Sequence, residues 1–120
     1  MNLHELLKKA QWAKLEPEEL AEVVRQISAG ENDLYTLLHI LGRAGSPKYK
    51  RVMERYLHYE KDSQLSALVL NALCNWWGLI EEYRRELISF LRGAKWDAED
   101  YVKLQAISLA GEYLRKHRYR

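Results

Sequence analysis

The sequence predicts an all-α chain, a short solenoid of antiparallel helical hairpins with about seven helices, on two recurrences and one absence. Residues 36–42 (TLLHILG), 68–74 (LVLNALC) and 105–111 (QAISLAG) align at offsets of 32 and 37. In each copy apolar residues flank one polar residue, His39, Asn71 or Ser108. A second register, with Tyr49, Val52, Met53, Tyr56 and Leu57, precedes Tyr83, Glu86, Leu87, Phe90 and Leu91 by 34 residues. A period of this length, built from two helical patterns, marks stacked helical units whose apolar faces are buried only by their neighbours. Sustained period-two alternation bounded by turn dipeptides, the sign of strands, is absent.

The elements follow in order. Leu3, Leu6, Leu7, Ala10 and Ala13 share one face of a first helix, expected to reach Lys14. Glu16-Pro17-Glu18-Glu19 restarts the chain, since proline fits a first turn and acids suit the positive end of the helix dipole. Leu20, Val23, Val24 and Ile27 make the second stripe, and Leu34, Leu37, Leu38 and Leu41 the third, stopped at Gly45. Ser46-Pro47 opens a fourth helix through Leu57. Asp62 or Ser63 caps a fifth, apolar almost all round from Leu65 to Leu73 and therefore the central, most buried one. Gly78 ends it. A sixth helix turns Leu87, Phe90 and Leu91 inward, and Asp97 with Asp100 resembles a capping box for a seventh.

Composition fits one domain over residues 1–120, with an N-terminal hairpin (1–30), the repeats (33–115) and a basic tail (116–120). Hydrophobic residues make up 48% and charged ones 30%, an ordinary globular balance. No apolar run approaches a membrane span, and the start reads as an amphipathic helix rather than a signal peptide. A single cysteine forms no internal disulfide, which points to a reducing, cytoplasmic setting. Net charge is +2, but Arg115, Lys116, Arg118 and Arg120 supply four cations at the tail. Without them the body holds 15 basic against 17 acidic residues, short of a nucleic-acid binder's surplus.

No catalytic or metal motif emerges. His4-Glu5 opens like a zinc-protease signature, but Lys8 stands where the second histidine belongs. Cys74 replaces the glycine of the other copies, a site for a small buried thiol. The carboxylates cluster at helix starts, where the dipole explains them. The chain is expected to be non-enzymatic, without cofactor or metal.

Two sets of residues point to binding. On the fourth and sixth helices, Arg51, Arg55 and His58 match Arg85, Ser89 and Arg92 at the 34-residue offset, opposite the apolar side. Glu22 breaks this column on the second helix, and the competing reading is a solvated face paired locally with Glu54, Glu82 and Glu86. Trp77 and Trp96 are the other candidates, either partner anchors or covers for the stack's ends. Trp76 is expected in the core and His39 at an inter-helix seam.

An apolar first helix closing on Leu41-Gly42 or Ala110-Gly111, then a turn and a second amphipathic helix, resembles a HEAT-like repeat over residues 33–115. The arginine and proline of longer HEAT arrays are not regularly placed here. The resemblance implies a protein-binding scaffold whose second helices line a concave surface, with nucleic acid the less common partner. Small single-domain arrays of this kind also resemble bacterial immunity proteins, which implies a dedicated inhibitor of one protein such as a toxin. The competing expectations are nucleic-acid binding through the basic column and a self-associating scaffold.

Overall fold

A computed structural model describes residues 2–30 and 33–117. It contains seven α-helices and no strand among those residues. Helix α1 (Leu3–Trp12) starts at Asn2, whose Oδ1 accepts from the N–H groups of His4 at 3.0 Å and Glu5 at 3.2 Å. Its end at Trp12 falls two residues short of the expected one. Helix α2 (Pro17–Ala29) opens with a capping box between Glu16 and Glu19. The Glu19 carboxylate also accepts from Lys9 Nζ at 2.7 Å, tying α2 to α1. Asp33 caps α3 (Leu34–Ala44), and Asp62 caps α5 (Ser63–Asn71).

Three elements depart from the sequence reading. A 3-10 turn (Pro47–Tyr49) leads into α4 (Lys50–Glu54), which is only five residues long. Past Glu54 the chain tightens, with Tyr56 N–H on Met53 O and Leu57 N–H on Glu54 O, and the Ser66 hydroxyl of α5 donates to the Leu57 carbonyl. A carbonyl taken by another helix no longer propagates its own. Second, α5 runs on into a π-helical turn (Ala72–Trp76), in which Trp77 N–H bonds Ala72 O at 2.9 Å, five residues back. Third, after α6 (Arg84–Leu91), α7 (Tyr101–His117) is not capped by an Asp97–Asp100 box. Asp97 is 3% exposed, and its carboxylate alone accepts from Val102 N–H at 3.1 Å and Lys103 N–H at 3.1 Å. Asp100 instead takes a left-handed φ of 59° to turn the chain beneath it.

Close packing joins alternate helices: α1 to α3, α3 to α5 and its π turn, and α5 to α7, while α2 lies on α3 and α6 on α7. Of the consecutive helices only α2 with α3 and α6 with α7 are among the close pairs, so this packing does not by itself establish a regular array of antiparallel hairpins. The segments expected to lie side by side, 33–45 and 63–77, do so as α3 and α5. They supply most of the fully buried side chains: Leu37, Leu38, Ile40 and Leu41 against Leu65, Val69, Leu70 and Leu73. At about 1.5–3 kcal/mol for each such side chain, this seam is the main favourable term in the fold. The stretch from Leu65 to Leu73 is largely buried as expected, but it shares the centre with α3, which packs against α1, α2, α5 and the π turn.

Candidate functional site

The arginine column divides in two. Arg85 and Arg92, with Arg84, Ile88 and Ser89, line a shallow depression along α6. Arg51 lies on α4 and Arg55 just beyond its end, and all four arginines are exposed. Two of the three acids expected to neutralise them are engaged elsewhere. Glu82 pairs with Lys50 at 3.3 Å, and Glu54 accepts from the Tyr83 hydroxyl at 2.8 Å. One oxygen of Glu86 is buried without a hydrogen-bond partner. None of Arg51, Arg55, Arg85 and Arg92 has an ion-pair partner among the described residues.

His58 and Trp96 meet elsewhere, on Phe90 of α6. The His58 ring centroid lies 4.9 Å from that of Phe90, and the half-buried Trp96 meets it edge-on at 6.3 Å. Trp77 stands apart from both groups. Its indole N–H donates to the Gly42 carbonyl at 2.9 Å, and its ring covers Gly45, where an added Cβ would come within 3.2 Å. Trp76, expected in the core, is half-buried and presses on Gly42 so closely that a Cβ there would meet its ring at 2.7 Å. The π turn thus sets two adjacent tryptophans on the end of α3. The basic tail's Arg118 and Arg120 lie outside the described residues.

The sequence reading missed a third surface. Tyr35, His39 and Arg43, each four residues apart on α3, face Gln64 and Asn71 of α5 and Gln105 of α7 across an open groove of about 710 Å³. Asn71 and Gln105 also line an adjoining groove of about 450 Å³ that continues to Ser108 and Lys116. All three recurring polar positions, His39, Asn71 and Ser108, therefore border one continuous polar face. Their shared period was the signal available in the sequence.

The groove's side chains are held in place. His39 stacks on Trp76 with ring planes 8° apart, and Tyr35 meets His39 edge-on at 6.3 Å. The Arg43 guanidinium sits 4.2 Å from the Trp76 ring centroid. Burial, then the Arg43 charge, holds His39 below its usual pKa, so the imidazole is neutral at pH 7. Asn71 Oδ1 accepts from Gln105 Nε2 at 3.2 Å and Asn75 Nδ2 at 3.3 Å. Cys74 is buried, and burial followed by the Glu86 charge pushes its thiol up to about 12, the reverse of an activated nucleophile. Among the described residues no three His, Cys, Asp or Glu side chains gather as for a metal ion, and no helix is long and apolar enough to cross a membrane. No family model, no curated protein and no solved structure matches this chain.

Proposed function

We propose that this chain is a non-catalytic binding module, a short HEAT-like solenoid that grips one protein partner. Its arginine face (Arg51, Arg55, Arg85, Arg92, with His58 beside it) meets an acidic surface of that partner. The observation carrying this reading is that the four arginines stand exposed without acids while Glu54 and Glu82 are engaged by Tyr83 and Lys50. Cations left unneutralised on a surface raise association rates with a complementary partner and suppress wrong ones. In its narrower form the module is a dedicated inhibitor, such as an immunity protein neutralising a toxin, an extension by analogy of fold alone. Trp77 and Trp96 contribute to packing more than to an anchor, since both are half-buried on α3 or α6 residues.

The same free arginines favour one second reading, nucleic-acid binding, against which the near-neutral body counts. A partner captured from native cells, then purified, tests both readings through the double reversal Arg51→Glu with Arg85→Glu. Affinity is expected to fall at least tenfold, about 1.4 kcal/mol, while circular dichroism stays unchanged. A folded variant that binds normally removes the arginine face from the site. A steep linear loss of log affinity with log salt, on an RNA or DNA partner, transfers the function to nucleic acid.

A further inference from the structure

We propose that the groove across α3, α5 and α7 is a second binding site, for an extended acidic peptide segment. Charge is the groove's first recognition feature. Among the residues bordering the main groove, Arg43 is the cation and there is no acid; with His39 neutral at pH 7, the positive charge is concentrated at one point. Arg43 has no carboxylate partner among the described residues, and its guanidinium carbon lies 4.2 Å from the Trp76 ring centroid, a contact that restrains the side chain without using its N–H donors. A planar fork held this way matches a carboxylate bidentately.

The carboxamides supply the second part. Asn71 Oδ1 is occupied by Gln105 and Asn75, which leaves the Asn71 Nδ2 group as a donor and the Gln105 Oε1 atom as an acceptor. One donor and one acceptor side by side are what a peptide group pairs with. Packed helices lie about 8–10 Å apart, so α3 to α7 spans about 16–20 Å. An extended chain covers that distance in about 5–6 residues at about 3.3 Å each. A strand laid across the helices would bring a side chain to Arg43 and its backbone to Asn71 and Gln105, while the adjoining groove carries both Lys116 and Glu112, the latter paired with Arg115, and adds no net positive charge.

Single-stranded nucleic acid fits less well. Base recognition needs free aromatic faces and several cations along the backbone. Here Trp76 already carries His39 and Arg43 on its ring, and although Tyr35 and Tyr101 are exposed at the groove, one guanidinium does not track a phosphate chain.

This site rests on the binding-module reading only in general kind, and its residues are separate from the arginine face. Random dodecapeptides displayed against the full chain are the probe, followed by titration of enriched sequences into isotope-labelled protein. The expected result is enrichment of acidic sequences that shift the side-chain amide resonances of Asn71, Gln105 and Gln64. Arg43→Glu and Asn71→Ala should each weaken those peptides at least tenfold, whereas Arg51→Glu with Arg85→Glu leaves them unchanged. Thermal melting confirms folding, and Arg43→Gln is read if the reversal fails to fold. The proposal is overturned by no enrichment, by non-acidic winners, or by undiminished binding to the folded Arg43 variant. It is equally overturned if a decathymidylate probe shifts the same amides at lower concentration than any peptide. If peptides are lost only on the Arg51/Arg85 variant, the groove fails and the arginine face stands.

Discussion

The arginine face and the groove differ in how their side chains are held. Arg51, Arg55, Arg85 and Arg92 project from a five-residue α4, the turn after it and an eight-residue α6, with no partner fixing any of them. The groove sits on α3, α5 and α7, and its side chains are mutually engaged: Tyr35 on His39, His39 and Arg43 on Trp76, Gln105 and Asn75 on Asn71. Free arginines lose rotamer entropy on binding and respond to any acidic neighbour, which favours fast, general attraction. Groups already ordered lose less and discriminate more. On the proposed readings, the arginine face suits encounter and the groove suits selection.

The largest test of this contrast lies beneath the groove. Leu73 is fully buried in the π turn, and Leu73→Ala is expected to cost about 2–5 kcal/mol by urea denaturation. Leu87, under the arginine face and slightly exposed, should cost less on the same truncation. A loss below about 1 kcal/mol for Leu73, or a greater loss for Leu87, reverses which surface rests on the firmer floor.

Alkaline pH separates the two sides by their buried acids. Cys74 is raised from 9.0 to about 12 by burial and then Glu86. Tyr83 is raised above its ordinary 10.0 by burial first and then by its bond to Glu54. A raised folded value favours the protonated native state, so the stability present below the unfolded pKa is lost as pH rises past it. For Cys74 the window is pH 9 to 12, with a loss of at most about 1.4 kcal/mol by pH 10. Urea melts at pH 8 and 10 should show most of this step in the native chain and little of it in Cys74→Ala, while Tyr83→Phe removes a loss that sets in near pH 10 and is read in a further melt at pH 11. An identical step in Cys74→Ala would assign the softening elsewhere.

The smallest effect concerns Trp77. Trp77→Phe keeps most of the ring and removes the bond to Gly42, for an expected cost of about 0.5–1.5 kcal/mol. Partner affinity through the arginines should be unaffected. A tenfold loss of partner with little loss of stability would restore Trp77 as an anchor.

Much of this was legible in the chain, and the failures have definite causes. Helical periodicity located seven helices, and the apolar run from Leu65 to Leu73 identified a buried one, though not the equal share that α3 takes of the centre. Periodicity does not register a π turn, because its extra residue leaves the same apolar letters in nearly the same order; Trp76 was therefore assigned to the core. The cap of α7 escaped because Asp97 reaches its N–H groups from five and six residues away, beyond the spacing a local box uses. His39 does lie at a seam, stacked on Trp76 across α3 and the π turn, but a polar residue among leucines gives no sign that it also borders a groove. Only the side-by-side packing of α3, α5 and α7 turns His39, Asn71 and Ser108 into one border.

The π turn also acts as a phase shifter. Ala72–Trp76 winds more slowly than the helix before it, so the residues that follow leave at a different azimuth from the one α5 would have given them. Deleting one residue from this stretch would restore ordinary α winding and make the segment a better isolated helix. It would also swing both indoles away from Gly42, breaking the Trp77 bond and removing the platform on which His39 and Arg43 stack. The irregular turn is the gear that couples the direction of α5 to the arrangement of side chains on α3.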